Sequence, residues 1–340
     1  MAKTLVLGGT GFIGGAVVAA AAARGPVRGL TRGRRAVPPV DGVEWLPGDL
    51  GDPASLEAAF AGVDTVLHAA GHYPRLGIHK SEALARGIAE TRNVIAAARA
   101  ARVKKLVYVS SLSTLGPPRA GRDEADEGDR YVPGAVDNAY FAVKYAMETE
   151  LLAARDVPVV AVVPTFVFGP GDVKPTSGRL VLAVARHHLP AYVEGHVNVV
   201  DVRDVAEGVL AAAAKGRAGE RYILGNENVV LSEWLALVAE RAGAPEPSIA
   251  LPYEVARAMA VASESATDAT RKLSKTLPPG PWQAFIRNPV QVSLEAVDLF
   301  HHATWVSTEK AAKELGWAPK IGKARSIDDT LADFKARGLW

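Results

Sequence analysis

A glycine-rich turn near the start of the chain limits the possible fold more than any other feature of the sequence. The segment Gly8-Gly9-Thr10-Gly11-Phe12-Ile13-Gly14 follows the apolar run Thr4–Leu7 and precedes the alanine-rich stretch Ala16–Ala23. A strand, a tight turn and a helix in this order present backbone N–H groups and a helix N-terminus to a pyrophosphate. The glycines permit the turn, the approach of backbone to phosphate, and close helix–strand packing. The sequence therefore predicts a dinucleotide-binding unit, with cofactor contacts at Gly8, Thr10, Gly11, Phe12, Ile13 and Gly14.

Short apolar runs alternate with alanine-rich helical stretches over the first half of the chain. The predicted strands are Thr4–Leu7, Val27–Leu30, Val43–Leu46, Thr65–His68, Lys105–Ser110 and Val157–Val163, and the predicted helices include Pro53–Ala61, Glu82–Ala101 and Tyr140–Ala154. Strands of nearly continuous valine and leucine that alternate with helices are typical of a parallel sheet covered on both faces. The predicted fold class is α/β, a doubly wound parallel sheet (Rossmann fold) with a smaller C-terminal substrate-binding domain.

The regular alternation of apolar strands and alanine-rich helices ends after Pro164. A turn cluster at Gly169–Asp172 is followed by frequent prolines and glycines. We therefore expect a dinucleotide-binding domain over residues 1–165 and a mainly substrate-binding domain over residues 166–340. The segment 197–215, a strand followed by a helix, is expected to return to the first domain.

Composition narrows the functional classes. A chain of 340 residues is long enough for one large domain or two smaller ones, and its net charge of +2 is too small to argue for a nucleic-acid or anionic-membrane partner. The absence of cysteine excludes disulfides, zinc–thiolate sites and thiol catalysis. The uncharged stretch Thr4–Ala23 has about the length of a membrane span, but the glycine cluster interrupts it. No leader precedes the first strand, so we expect a cytoplasmic protein without a membrane span.

The residues after the second predicted strand bear on which dinucleotide fits. NAD-binding units usually carry Asp or Glu about 20 residues beyond the glycines, where it accepts from the ribose 2′-hydroxyl. Here no carboxylate lies between Gly14 and Asp41, and Arg32, Arg34 and Arg35 follow the strand. Guanidinium groups bind phosphate oxygens in a two-pronged, charge-assisted geometry. The sequence thus predicts NADP(H), contacted by Arg32 and Arg35, although the same arginines could simply solvate a loop.

Two further turns are predicted to contact the cofactor. Asp49 and Leu50 follow the third strand, and Asp49 could accept a hydrogen bond from the adenine amino group. The turn Ala69-Ala70-Gly71 follows the fourth strand and would pass beneath the ribose and phosphates.

Tyr140 stands four residues before Lys144 on a predicted helix, a spacing that places both side chains on one face about a turn apart. A phenol with a pKa near 10 is a poor acid or base at neutral pH. A neighbouring ammonium stabilises the phenolate, and each unit by which the pKa falls corresponds to about 1.4 kcal/mol. Neither Tyr131 nor Tyr145 has lysine at this spacing. The pair is therefore a candidate catalytic pair, although such pairs also occur by chance on helix surfaces.

A serine-rich turn follows the fifth predicted strand, in Val107-Tyr108-Val109-Ser110-Ser111-Leu112-Ser113. A hydroxyl at the carboxyl end of a central strand lies in the crevice where open α/β sheets bind ligands. There it could hydrogen-bond a substrate carbonyl and stabilise a developing alkoxide. The alternative is that these serines only cap the turn.

Taken together, these motifs resemble the extended short-chain dehydrogenase/reductase family, within the NAD-dependent epimerase/dehydratase superfamily. The resemblance covers about two-thirds of the chain and includes the glycine motif, Ala69-Ala70-Gly71, the serine turn, Tyr140 with Lys144, and Pro164–Gly171. A closer likeness to the dihydroflavonol-reductase, 3β-hydroxysteroid-dehydrogenase and hopanoid-associated epimerase-like group is carried by Gly171–Thr176, Leu189–Val193 and Gly219–Gly225.

The resemblance implies roles for individual residues. Ser111, the second of the serine pair, would be catalytic together with Tyr140 and Lys144, and Lys144 would also hold the cofactor's ribose. The segment from Pro164 to Val167 would run under the nicotinamide. The candidate substrate contacts are His72, Tyr73, Thr165, Tyr192 and Asn198. No metal site is predicted, because the adjacent pairs His187-His188 and His301-His302 diverge on any regular element.

Gly87 is a departure from the family pattern. It stands where the family usually has an Asn that helps to organise the helix and a proton-relay water. Relatives often dimerise through the helix with Tyr-x-x-x-Lys and the preceding long helix, here Glu82–Ala101, so a homodimer is a further expectation.

The family admits reductases, epimerases, dehydratases and non-catalytic binding proteins. Its dehydratases place an Asp-Glu pair directly after the catalytic hydroxyl residue, where this chain has Leu112 and Ser113. Its epimerases typically retain NAD and the acidic residue that is missing here. We therefore predict an NADP(H)-dependent carbonyl reductase, or alcohol dehydrogenase, that acts on a ketone or aldehyde with an apolar body. The alternatives are an NAD(P)-dependent sugar epimerase and a non-catalytic NADP-binding regulatory protein.

Overall fold

The central feature of the fold is a sheet of parallel strands. The computed structural model describes residues 3–33, 37, 40–72, 74, 78–173, 177–274 and 293–340, with 268–274 described by their backbone alone. In these ranges the strands are β1 (Thr4–Leu7), β2 (Val27–Thr31), β3 (Val43–Pro47), β4 (Thr65–His68), β5 (Lys105–Val109), β6 (Val159–Pro164), β7 (Phe166–Phe168), β8 (Ala191–Tyr192), β9 (His196–Asp201), β10 (Arg221–Leu224), β11 (Glu227–Val230) and β12 (Ile249–Ala250). The helices are α1 (Phe12–Ala22), α2 (Pro53–Phe60), α3 (Lys80–Ala100), α4 (Ala139–Ala153), α5 (Gly178–Ala185), α6 (Val202–Lys215), α7 (Leu231–Ala242), α8 (Tyr253–Ser274), α9 (Leu294–His302) and α10 (Lys323–Ala336), with shorter helical turns at Leu112–Thr114 and Ala311–Leu315.

Seven of the described strands form one sheet in the order β10-β6-β5-β4-β1-β2-β3, and every neighbouring pair is parallel. Helices cover both faces, so the predicted doubly wound α/β (Rossmann) sheet is confirmed. The chain reverses its direction of travel across the sheet between β1 and β4. Sheets of this kind bind ligands at that point, outside the carboxyl ends of the strands. The glycine turn after β1 and the turn after β4 lie side by side there.

The two faces of the sheet bury alternate residues of the same strands. Leu5 and Leu7 of β1 belong to a buried cluster with α2, α3 and α4, whereas Val6 belongs to a second cluster with α1 and α6. This alternation follows the two-residue period of a strand. Each such side chain fully removed from water stabilises the fold by about 1.5–3 kcal/mol. Burial on both faces explains why the strands read as nearly continuous valine and leucine.

A second, smaller unit contains a three-stranded sheet of described strands. β9 pairs in parallel with β7 and antiparallel with β11. Helices α5, α7 and α10 pack around Phe166, Phe168 and Trp234. The Trp234 ring meets both phenylalanine rings edge to face, with 5.4 Å between centroids in each case.

The segment 197–215 is divided between the two units. Its strand, β9, joins the small sheet, whereas its helix, α6, packs on the main sheet beside α1. The strand that returns to the edge of the main sheet is β10, which pairs with β6. Periodicity identifies a strand but not its partner, because the partner depends on segments that are distant in the chain.

Across the described residues, none of the helices combines the length and the apolar character that crossing a bilayer requires.

Candidate active site

The glycine turn packs so closely against neighbouring backbone that two of its glycines, Gly8 and Gly14, leave no room for a Cβ atom. Gly8 has a φ of +83°, in the left-handed region that favours glycine, and its carbonyl accepts from the Gly11 N–H at 2.9 Å. A Cβ on Gly8 would lie 2.5 Å from the backbone nitrogen of Ala70, and a Cβ on Gly14 would lie 2.0 Å from the Gly8 carbonyl oxygen. These contacts fix the turn against both α1 and the loop after β4.

The N-terminus of α1 opens toward this turn. Its N-cap is the exposed Gly11, which supplies no side-chain cap, and the first helical turn contains no acidic residue. The first N–H groups of such a helix need acceptors from outside it, and a phosphate meets that need. Phe12 and Ile13 are half-buried against the core beneath. The turn and helix therefore fit a bound pyrophosphate.

The remaining predicted cofactor contacts surround this turn. Arg32 is exposed just after β2, whereas Arg34 and Arg35 lie outside the described residues. Asp49 accepts from the Gly51 N–H at 2.9 Å through Oδ1, and the Leu50 carbonyl accepts from Asn93 at 2.9 Å.

Further predicted cofactor contacts lie in the segments after β4 and β6. The Ala69 N–H donates to the Leu7 carbonyl at 2.9 Å, so the loop after β4 begins in contact with β1. Pro164 ends β6 at the carboxyl edge of the main sheet, and Val167 lies buried in β7, which begins two residues further on and belongs to the smaller sheet.

Tyr140 and Ser111 meet across the carboxyl edge of the sheet. The Tyr140 hydroxyl donates to Ser111 Oγ at 3.0 Å. Ser111 is buried, and its Oγ also accepts from the backbone N–H and the hydroxyl of Ser113 at 3.2 and 3.1 Å. The serine thus caps its turn and contacts the phenol at the same time, while its hydrogen bond to a substrate carbonyl stays a prediction.

The start of α4 determines where Tyr140 lies. Asn138 is the N-cap of this helix and accepts from the Tyr140 N–H at 2.9 Å. Its amide also donates to Asp298 of α9 at 2.8 Å, and Asp298 is fully buried. Asp298 accepts in turn from the Tyr253 hydroxyl at 2.9 Å and from Arg257 at 3.2 Å. The helix that carries Tyr140 is therefore capped by a residue anchored to α8 and α9.

Lys144 lies one turn after Tyr140 and beside the loop that follows β4. Its Nζ would be 3.5 Å from a Cβ on Gly71 and lies 5.9 Å from the centre of the Tyr108 ring. Burial lowers the pKa of Lys144 to about 8, although the carboxylates of Glu295 and Glu148 act in the opposite direction. Burial, and then Glu295, raise the pKa of Tyr140, while hydrogen bonds with Ser111 and Ser113 lower it. The lysine thus lies one helical turn from a phenol that is protonated at neutral pH.

The burial of Lys144 predicts a pH-dependent stability. Its pKa falls from the ordinary value of 10.5 to about 8 in the folded protein, so between these values the unfolded chain binds more protons. Stability should therefore rise as the pH increases through this window, by roughly 3 kcal/mol at most. Lys144→Met should remove that rise. Urea unfolding at about pH 7.5 and about pH 9.5 measures the effect.

Lys104→Met is the matched control for this experiment. Lys104 is exposed and pairs with Asp64 at 2.7 Å, so its removal deletes a lysine without deleting a buried ammonium. Equal changes in pH dependence for the two variants would show that burial of Lys144 is not the cause.

A small, mainly apolar cavity with about 20 Å³ of solvent-accessible volume adjoins the serine turn. Its wall begins at Leu112, the residue after Ser111, and is completed by Leu115, Thr165, Phe166, Val197, Asn198, Leu299, Phe300, His302, Ala303, Thr304 and Val306. Thr165 donates to Asn198 Oδ1 at 2.9 Å, and together they form a polar patch. Small-molecule sites share this kind of lining, apolar with a few polar groups, but they are much larger than this cavity.

The other candidate substrate contacts among the described residues, Tyr192 and His72, do not line this cavity. Tyr192 is half-buried in β8, and its carbonyl accepts from the Leu251 N–H at 2.8 Å. His72 follows Gly71, with Nδ1 3.8 Å from the Glu90 carboxylate. Tyr73 lies outside the described residues. Within the described ranges no group of three or more side chains is arranged to hold a metal ion.

The position of Gly87 has a packing explanation. A Cβ there would lie 3.0 Å from Val143 Cγ1, 3.5 Å from the Cβ of His72 and 3.6 Å from Met147. These side chains occupy the space that an Asn side chain would need. The glycine thus allows α3 to pack closely on α4.

Several residues near the site were not found from the sequence. Glu295 is brought to the Tyr140–Lys144 pair by α9, and Arg221 is brought behind the serine turn by β10. Glu148 carried a usable signal, because it lies four residues after Lys144 and hence on the same helix face. Glu295 and Arg221 carried no sequence signal, since only the tertiary fold brings them near Tyr140 and the serine turn.

Residues 4–225 match the family model described as the NAD dependent epimerase/dehydratase family. This chain belongs to that family. The match extends from the start of β1 to the residue after β10, so it includes the glycine turn, the serine turn and the Tyr140–Lys144 pair. The expected likeness to the extended short-chain dehydrogenases/reductases is confirmed. The chain is thus an enzyme of a nicotinamide-dinucleotide-dependent family that includes oxidoreductases and epimerases.

Individual members of the family that resemble this chain include reductases and an epimerase. A Synechocystis protein provisionally named dihydroflavonol 4-reductase is 33% identical over 98% of this chain and 94% of its own length. A 2-alkyl-3-oxoalkanoate reductase of Stenotrophomonas maltophilia is 29% identical over 98% of both chains. Among solved structures, gox2253 has a TM-score of 0.81 at 32% identity, and a nucleoside-diphosphate-sugar epimerase from Pseudomonas aeruginosa has 0.79 at 25%. Each of these structures covers 100% of this chain and 99% of its own.

Proposed function

We propose that this family member is an NADP(H)-dependent carbonyl reductase that interconverts an apolar ketone or aldehyde and its alcohol. The observation that carries the proposal is the hydrogen bond of 3.0 Å between the Tyr140 and Ser111 hydroxyls, with Lys144 one turn further along α4. A proton donor, a second hydroxyl and an ammonium gather at the carboxyl edge of the sheet, between the end of β5 and the loop after β4. This set suits proton transfer to a carbonyl oxygen.

Each group has a distinct proposed role. The Gly8–Gly14 turn, the Ala69–Gly71 loop and Lys144 would hold the dinucleotide, with Pro164 and Val167 under its nicotinamide. When bound, NADPH supplies the hydride. Tyr140 Oη donates the proton to the carbonyl oxygen, and the Ser111 hydroxyl orients that oxygen. The Lys144 ammonium favours the phenolate that remains, because an adjacent positive charge stabilises a negative one.

The alternative proposal is a sugar epimerase, which the likeness to the Pseudomonas aeruginosa enzyme supports. Two observations favour the reductase. Arg32, rather than a carboxylate, follows β2, and a reductase that exchanges its cofactor suits NADP. The cavity beside Ser111 is lined mainly by aliphatic and phenylalanine side chains, whereas a sugar nucleotide offers many polar groups that need partners. Both reductase relatives point in the same direction.

The decisive experiment follows NADPH absorbance with a panel of acetophenone, cyclohexanone, hexanal and an alkyl 3-oxo ester. Stoichiometric NADPH oxidation with one of them is expected. A parallel incubation with UDP-glucose and NAD, read by proton NMR, tests the alternative. Isomerisation of the sugar without net cofactor change, together with no oxidation of NADPH by the carbonyls, would overturn the reductase proposal.

The choice of NADPH over NADH is proposed to depend on Arg32. Arg32→Ala should weaken NADPH binding about ten- to hundredfold and leave NADH binding nearly unchanged, because a charge-assisted hydrogen bond is worth about 1.5–3 kcal/mol. Fluorescence titration with both nucleotides measures the change. Arg24→Ala is the control, since Arg24 pairs with Glu207 at 2.6 Å. Equal loss for NADPH and NADH would refute a role at the 2′-phosphate.

The proposed organisation retains a cofactor-binding unit over residues 1–165 and a mainly substrate-binding unit over 166–340. A homodimer through α3 and α4 is part of the same proposal. It is compatible with the solvent-facing alanines of α3 at positions 85, 89, 96 and 100.

A further inference from the structure

A buried ion pair lies behind the serine turn. Glu148 of α4 forms an ion pair with Arg221 of β10. Glu148 Oε1 lies 2.8 Å from Arg221 Nε, and each side chain is only 2% exposed. Glu148 is one helical turn beyond Lys144 and two turns beyond Tyr140. Arg221 lies in register with Ala161 of β6, and Ala161 with Tyr108 of β5. The small Ala161 side chain leaves room above the sheet for this pair.

The pair is bonded to the residues on both sides of Ser111. Glu148 Oε2 accepts from the Ser110 hydroxyl and lies 3.0 Å from the Thr114 hydroxyl. Arg221 Nη2 donates to the Thr114 carbonyl at 3.1 Å and to its hydroxyl oxygen at 2.8 Å. Thr114 also donates its backbone N–H to the Ser111 carbonyl at 3.0 Å. The ion pair therefore holds the serine turn at its first and last residues.

Stability alone gives a weak reason for such an arrangement. Removing two charges from water costs several kcal/mol per ion, and a well-packed apolar pair often serves as well or better. What an apolar pair cannot supply is a directed set of bonds to Ser110 and Thr114. Those bonds tie the turn to α4, the helix that also carries Tyr140.

We propose that Glu148 and Arg221 are positioning residues that hold Ser111 Oγ within hydrogen-bond distance of Tyr140 Oη. Catalytic groups lose much of their effect when they move by about 1 Å, so a turn held at both ends preserves the hydroxyl pair. This inference rests on the proposed carbonyl reduction for its kinetic readout. Its structural readout is independent of any substrate.

The main variant is the double substitution Glu148→Gln with Arg221→Met, which removes both charges and leaves neither ion unpaired. A second test compares Thr114→Val, which deletes the hydroxyl, with Thr114→Ser, which keeps it and is expected to restore most of the rate. This comparison decides the question even if the double variant fails to fold. Glu150→Gln is the matched control, because Glu150 lies on the same helix but pairs with Arg92 at the surface.

The kinetic readouts are kcat and KM for whichever carbonyl of the panel is reduced. The substrate-free readout is the ¹³Cζ NMR resonance of Tyr140 in tyrosine-labelled protein, assigned with Tyr140→Phe. We expect kcat to fall at least about tenfold with little change in KM, since the loss lies in geometry rather than binding. The Tyr140 resonance should move toward its position in Ser111→Ala.

Unchanged kcat and an unmoved Tyr140 resonance in the double variant would overturn the proposal. So would equal losses in Thr114→Val and Thr114→Ser, because the hydroxyl kept by serine would then fail to restore the rate. If the wild-type protein reduces no carbonyl, the proposed function fails, and the resonance then decides the positioning role by itself.

Discussion

Tyr140→Phe is expected to lower kcat for carbonyl reduction by about 10²–10⁴-fold while NADPH affinity stays within about twofold. The substitution deletes the hydroxyl that lies 3.0 Å from Ser111 Oγ and keeps the ring, which packs edge to face against Phe141. The loss is therefore chemical rather than structural. Stopped-flow or steady-state absorbance gives kcat, and quenching of protein fluorescence gives the NADPH dissociation constant.

Tyr145→Phe is the matched control for this variant. Tyr145 lies on the same helix, but its ring packs against Tyr131 with 5.6 Å between centroids. We expect it to keep wild-type kcat. Activity retained in Tyr140→Phe, or an equal loss in both variants, would refute the role of Tyr140 as the proton donor.

The second large effect is expected at Gly14. A methyl group there would lie 2.0 Å from the Gly8 carbonyl oxygen, a distance that forces the turn or α1 to move. Gly14→Ala should cost about 1–3 kcal/mol of stability and weaken NADPH binding by more than about tenfold, because overpacking shifts the backbone that meets the phosphates. Thermal unfolding and fluorescence titration measure the two losses.

Gly25→Ala provides the comparison, since a Cβ on Gly25 meets no described atom within 4 Å. It should leave both stability and binding close to wild type. Wild-type NADPH affinity in Gly14→Ala would mean that the nucleotide binds away from this turn.

The main sheet was largely predictable from the sequence because its strands are apolar and its helices are amphipathic or alanine-rich. β1 and β4 have the predicted bounds, and β5 ends one residue earlier than predicted, at Val109. The short strand β10 was not predicted. Four residues that begin with the charged Arg221 carry too little periodicity to indicate a strand. The place of β10 beside β6 depends on pairing across more than fifty residues.

The candidate site was predictable only where its spacing is local. Tyr140 and Lys144 are four residues apart on one helix, so their proximity follows from helical geometry. The contact between Tyr140 and Ser111 needs α4 to pack across the end of β5. The bonds of Arg221 and Asp298 to the elements that carry the site need β10 and α9, and no local pattern indicates them. The roles of all the predicted site residues stay predictions, and Arg35 and Tyr73 also lie outside the described residues.

The position of β10 has a consequence for any attempt to divide this protein. The chain completes its main sheet only after it has passed through β7 and β9 of the smaller unit. A fragment that stops at residue 165 would expose β6 as an unpaired, fully apolar edge and would leave Glu148 without its guanidinium. The nucleotide-binding half is therefore not an independent module that evolution or an engineer could transplant by a single cut. During synthesis the main sheet can be completed only after β10 has been made.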